Sequence, residues 1–127
     1  MENHDLNSTL ESLANELIAA AVREFEGVRE GTVMTVGPAP YRRLDADGRA
    51  LAYVRVRPRK RAVRIDISGL WRASPPSPLR CSSAGGSATL LVHGRGDLVE
   101  ALQFLGRVLE ETREAYAPAY RGLLRAA

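Results

Sequence analysis

Cysteine occurs once in the 127 residues, at Cys81, and histidine twice, at His4 and His93. One thiol excludes an intrachain disulfide and a cysteine-rich zinc site, and it agrees with a reducing compartment. Two distant histidines make no H-x-x-x-H pair, and neither G-x-x-x-x-G-K-[ST] nor a strand-borne G-x-G-x-x-G is present. Nucleotide-binding loops and common zinc enzymes thereby lose their usual sequence support, and no metal, cofactor or catalytic set is expected. A long apolar run is also missing: the apolar pattern from Leu6 to Phe25 is broken by Asn15, Glu16, Arg23 and Glu24. Such a segment does not cross a bilayer. The opening "MENHDLNSTL" is polar and acidic where an export signal is basic and then apolar, so the expected location is the cytoplasm, with no membrane contact.

Aromatic residues make up only 6% of the chain, and lysine is confined to Lys60, the other seventeen basic residues being arginine. That skew, with the abundant Ala and Gly, is in keeping with a coding bias as well as with arginine chemistry. A chain of this length fits one domain, here 1–127, and buries about two-thirds of its unfolded surface without needing staples.

Periodicity supplies the elements. Leu6, Leu10, Leu13, Leu17, Ala20, Ala21 and Phe25 recur at steps of three and four, predicting a helix over 6–27, with Ser8 and Glu11 spaced as a capping box. A meander of strands is expected over 32–68: "TVMTV" at 32–36, then 41–44, 49–57 and 62–68, with "DADG" at 45–48 as a hairpin turn. Three prolines, a glycine pair and several serines make 73–86 a flexible loop, and "SATLLVH", 87–93, is a further strand. Leu98, Ala101, Leu102, Leu105, Val108, Leu109 and Thr112 draw a second helical stripe over 97–115, with Asp97 and Glu100 placed to cap it. The expected architecture is a two-layer α+β domain, an antiparallel sheet of four to five strands with both helices on one face.

One stretch carries the functional interest. "YVRVRPRKRAVRID", 53–66, holds six of the eighteen basic residues. With Arg59 and Lys60 at a hairpin tip, residues whose numbers sum to 119 oppose one another. Val56 then meets Val63, Val54 meets Ile65 and Ala52 meets Ile67, all on the core side. The outer side pairs Tyr53 with Asp66, Arg57 with Ala62, and Arg55 with Arg64. Like charges directly across a ladder repel by a few tenths of a kcal/mol, roughly, when solvated. Carried through the "DADG" turn, the same parity sets Leu51 against Arg42 on the outer surface unless a bulge intervenes.

The window from Tyr41 to Asp66 contains eight Arg, one Lys and three Asp, a net +6, which leaves −3 for the rest of the chain. A basic face is what a surface meeting phosphates or acidic protein displays. It is also how a solvated sheet face and a protected hairpin edge look. The candidate anion-binding residues are Arg42, Tyr53, Arg55, Arg57, Arg59, Lys60, Arg61 and Arg64. Only Tyr53 joins them as an aromatic on the expected outer face, so backbone contact without base readout is the implied mode.

Other features have plainer readings. Cys81 is an inert loop thiol, His93 a surface residue at a strand end, and Trp71 a core plug. Glu110, Glu111 and Glu114 lie off the apolar stripe as solvent-facing charge, and the "RGD" at 95–97 is needed for the helix start.

"ALAYVRVRPRKRAVRIDIS", followed after a variable loop by a strand and "GDLVEALQFLGRVLEETREAY", is similar to a widespread group of small bacterial domains. In that group a Y-x-x-x-x-P-x-K hairpin precedes a D-hydrophobic-x-x-A-L helix. The resemblance spans residues 41 to 116 at most. It implies an α+β domain sometimes attached to nucleases or other DNA-related proteins, with no agreed catalytic residues. The expectation is therefore a non-enzymatic domain that binds an anionic partner, nucleic-acid backbone first or an acidic protein. The alternative is a protein–protein interaction or homodimerisation domain.

Overall fold

Two helices and six antiparallel strands make up the computed structural model, which describes residues 2–31, 41–71, 73, 75–81 and 88–115. In chain order they are α1 (Glu2–Glu24), β1 (Val28–Glu30), β2 (Arg42–Ala46), β3 (Arg49–Arg57), β4 (Ala62–Ile67), β5 (Arg80–Cys81), β6 (Ala88–Val92) and α2 (Leu98–Ala115). The sheet order is β1-β2-β3-β4-β6-β5, and every pairing is antiparallel. Both helices cover one face, giving the two-layer α+β arrangement that the periodicity implies, with six strands where four to five are expected.

The extra strands are the short ones at the two edges. β1 contains one buried residue, Val28, and β5 has two residues, both exposed, so neither offers an alternation to read. Strand 32–36 of the expected meander lies outside the described residues.

α1 begins at Glu2, so Ser8 and Glu11 sit inside the helix and do not cap it. Its stop follows expectation: the chain turns at Gly27, which adopts φ +81°, and Val28 donates its amide to the Phe25 carbonyl at 3.2 Å. At α2 the Asp97 side chain has a different partner from the one expected. It accepts the His93 amide at 2.9 Å, so the carboxylate ties the end of β6 to the single 3-10 turn Arg95–Asp97 that leads into the helix.

The described part of 73–86 is ordered by specific bonds. Ala73 and Pro75 are buried, Arg80 donates to both their carbonyls at 2.9 and 3.1 Å, and Leu91 donates its amide to the Leu79 carbonyl. Proline lacks a donor but keeps an acceptor, and here that of Pro75 is used.

The core lies between the layers. From the helices it takes Leu10, Leu13, Leu17, Ile18, Ala21, Phe104, Leu105, Val108 and Leu109; from the sheet come Leu44, Leu51, Val54, Val63, Ile65, Ile67, Leu90 and Val92. Trp71 closes one end, buried with its indole N–H donated to the Ala50 carbonyl at 2.9 Å.

The β3–β4 register pairs Val56 with Val63, Val54 with Ile65, Ala52 with Ile67, Tyr53 with Asp66, Arg57 with Ala62 and Arg55 with Arg64, as the alternation of apolar residues dictates. The β2–β3 hairpin differs. Its two central residues are Asp47 and Gly48, at φ +55° and +79°, the left-handed pair of a type I′ turn, and Arg49 pairs with Ala46. Leu51 is then an extra residue opposite β2: Asp45 pairs with Ala50 and Leu44 with Ala52. This bulge puts Leu51 and Ala52 both in the core, correcting the outer position expected for Leu51.

Candidate functional site

The bulge decides where the basic side chains go. Beyond it Arg42 pairs with Val54, a core-side residue, so Arg42 points to the helix side of the sheet. There its Nε donates to Glu30 at 2.7 Å and its Nη1 to the Asn15 side chain of α1. Arg42 therefore stands apart from Arg55 and Arg64, on the opposite face of the sheet.

Arg43 takes the outer position instead, opposite Tyr53. Its Nη2 donates to Asp45 at 3.0 Å, and the bond to Asp45 raises the Arg43 pKa above its ordinary value. The arrangement recurs two strands away: Arg64 Nε donates to both carboxylate oxygens of Asp66, at 3.1 and 3.0 Å. Asp66 also accepts the Thr89 hydroxyl at 2.6 Å. In both cases the partners are two residues apart on one strand and hence on one face. That R-x-D spacing is the feature of the sequence from which these pairs are legible.

Arg55 does oppose Arg64 in the ladder, and the Asp66 carboxylate beside Arg64 offsets the repulsion between them. Arg55 itself reaches the Tyr41 ring, its guanidinium carbon 5.5 Å from the centroid, and its buried Nε has no hydrogen-bond partner among the described residues. Tyr41 in turn meets Tyr53 edge to face, with centroids 5.5 Å apart and planes at 83°. Tyr41 is a residue that sequence reasoning left out, because nothing local shows which ring it will touch.

The tip is a single 3-10 turn, Pro58–Lys60, followed by Arg61 at φ +51°. Pro58 supplies the fixed φ for the first position and Arg61 closes the turn, donating its amide to the Pro58 carbonyl at 3.0 Å. Arg59, Lys60 and Arg61 are exposed and Arg57 is half-buried. None of these four, nor Arg55, has an ion-pair partner among the described residues. His93 lies against this turn, its Nδ1 3.3 Å from the Arg61 carbonyl.

Of the eight candidate residues, then, Arg42 leaves the face, Arg64 stays but is paired, Tyr53 stays against Tyr41, and the uncompensated charge is concentrated from Arg55 to the tip. Apart from Asp45 and Asp66 on this face, acidic charge is also carried by the other layer, where Glu11, Glu24, Glu110, Glu111 and Glu114 are exposed on the helices. Among the described residues no group of three or more His, Cys, Asp or Glu is placed to hold a metal ion, and no helix is long and apolar enough to cross a membrane. The chain matches no family model, no curated protein and no solved structure.

Proposed function

We propose that the protein is a non-enzymatic domain whose β3–β4 hairpin binds an anionic partner, nucleic-acid backbone first, without sequence readout. The observation that carries this is the run of Arg55, Arg57, Arg59, Lys60 and Arg61, free of ion pairs among the described residues, while Arg42, Arg43, Arg64, Arg95 and Arg113 each have a carboxylate within reach. Cations already matched by protein acids release few counterions when they meet phosphate, whereas unmatched ones release them in full. The tip is therefore the main phosphate contact and Arg64 a secondary one. A single cysteine suits the reducing cytoplasm, where nucleic acid is abundant.

The test is fluorescence anisotropy with a labelled nucleic acid over a range of salt. The wild type binds at about 50 mM salt and weakens linearly in log–log form, with a slope that falls by roughly two to three units in the triple variant Arg57→Ser/Arg59→Ser/Lys60→Ser. A wild type that does not bind at low salt, or a triple variant with the parental slope, overturns the reading.

The alternative, a protein-interaction or homodimerisation domain, has one observation of its own. A groove of about 730 Å³ runs between the end of α1 and α2, with Phe25 and Leu109 among its lining and Val99, 63% exposed, beside it. Light scattering over a wide concentration range separates the two, since a persistent monomer removes self-association as the function.

A further inference from the structure

The outer face of β2, β3 and β4 is built differently from the tip, and the difference bears on which nucleic acid fits. On this face Tyr53 stands in the ladder between Arg43 and Asp66, each a member of an ion pair, Arg43 with Asp45 and Asp66 with Arg64. The Tyr41 ring meets it at 83°, and Arg55 lies over Tyr41. Along β3 the side chains of Tyr53, Arg55 and Arg57 share this face and step by about 6.8 Å, leading from the rings towards the tip.

We infer that this face is a stacking platform for unpaired bases, so that the protein prefers single-stranded nucleic acid to duplex; the inference rests on the proposed nucleic-acid reading. In a duplex the bases are stacked on one another and only edges and phosphates are within reach, so a ring on a flat sheet adds nothing to duplex affinity. An unpaired base can lie on the Tyr53 ring while its phosphates follow Arg55 and Arg57 towards the tip. Cations alone do not discriminate in this way, because both forms carry phosphates. Discrimination belongs to the rings and overall affinity to the tip.

The two contributions separate by mutation. The probes are a fluorescein-labelled oligodeoxythymidine of about 16 nucleotides, the upper site size of a single-strand-binding module, and a mixed-sequence duplex of the same length. The wild type binds the single strand more tightly. Tyr53→Leu, which keeps an apolar strand residue and removes the ring, loses about tenfold on the single strand and is unchanged on the duplex. Tyr53→Phe restores single-strand binding, which separates loss of the ring from loss of the fold. Equal or tighter wild-type binding to the duplex, or single-strand affinity unaltered by Tyr53→Leu, overturns the platform while leaving the backbone-binding reading in place. Failure of the wild type to bind either probe at low salt overturns both.

Discussion

Arg113 joins three parts of the chain. From the last turn of α2 it presents a two-pronged contact to Asp47 in the β2–β3 turn, Nε to Oδ2 and Nη2 to Oδ1, each at 2.9 Å. Its Nη2 also donates to the Glu26 carbonyl beyond the end of α1, at 2.7 Å. A fork-to-fork pair is oriented in a way that a surface lysine is not, and here it clamps three elements. The close passage explains Gly27, where a β-carbon would stand 2.8 Å from the Asp47 carboxylate and 3.0 Å from the guanidinium. Arg113→Met is expected to cost about 1–2 kcal/mol in urea unfolding, more than an ordinary exposed pair. A loss no greater than that of Arg107→Met, which removes a guanidinium without such a contact, would show that the clamp adds nothing. Asp66 acts on the same scale. It stands beside the Arg55–Arg64 opposition, so Asp66→Asn should destabilise the protein by about 1 kcal/mol at low salt and by less at high salt, as unfolding at two ionic strengths would show.

At the scale of elements, the β2–β3 hairpin turns on Gly48. Its φ of +79° is a conformation that L side chains rarely adopt, yet nothing lies within 4 Å of where a β-carbon would be. Gly48→Ala therefore isolates the backbone cost, about 1–2 kcal/mol for a left-handed residue, with no steric contribution. An unchanged midpoint in urea would mean that the turn relaxes to another type. The same hairpin shows what was and was not legible in the sequence. The β3–β4 register follows from Val54, Val56, Val63, Ile65 and Ile67, because a slip of one residue would turn outward either the two on β3 or the three on β4. "DADG" instead admits more than one two-residue turn, and a bulge inserts Leu51 without changing composition, so Arg42 and Arg43 exchange faces. Phe104 also falls outside the stripe read for α2, yet it is fully buried. A helix packed against both a sheet and another helix buries a wider face than the stripe from Leu98 to Thr112. In the candidate site the position of the tip was legible from Pro58 and the flanking alternation. The pairing of Arg43 and Arg64 was legible only through the two-residue spacing to Asp45 and Asp66, and the approach of Tyr41 to Tyr53 was not, since it depends on the bulged register between strands.

For the whole molecule the decisive property is how charge divides between layers. The hairpin carries five cations free of ion pairs among the described residues, Arg55, Arg57, Arg59, Lys60 and Arg61, and exposed acids such as Glu110, Glu111 and Glu114 sit on α2, which also carries the exposed Arg107. Between the solvent side of α2 and the outer face of the sheet lies at least the diameter of a helix, about 10 Å, against a Debye length of about 8 Å at physiological ionic strength and about 30 Å at 0.01 M. The acids on the far side therefore oppose a polyanion appreciably only in dilute salt. Neutralising them with Glu110→Gln/Glu111→Gln/Glu114→Gln should accelerate association with nucleic acid at about 0.01 M salt and change affinity by less than about twofold at about 0.15 M. The hairpin variant Arg57→Ser/Arg59→Ser/Lys60→Ser should lose affinity at both, because in the proposed binding mode the cations it removes touch the phosphates instead of acting across the molecule. Stopped-flow association at the two salt concentrations distinguishes these behaviours. If the helix variant weakens binding at either concentration, the partner's contact surface includes α2, and the division of labour between a binding sheet and a repelling helical layer is wrong.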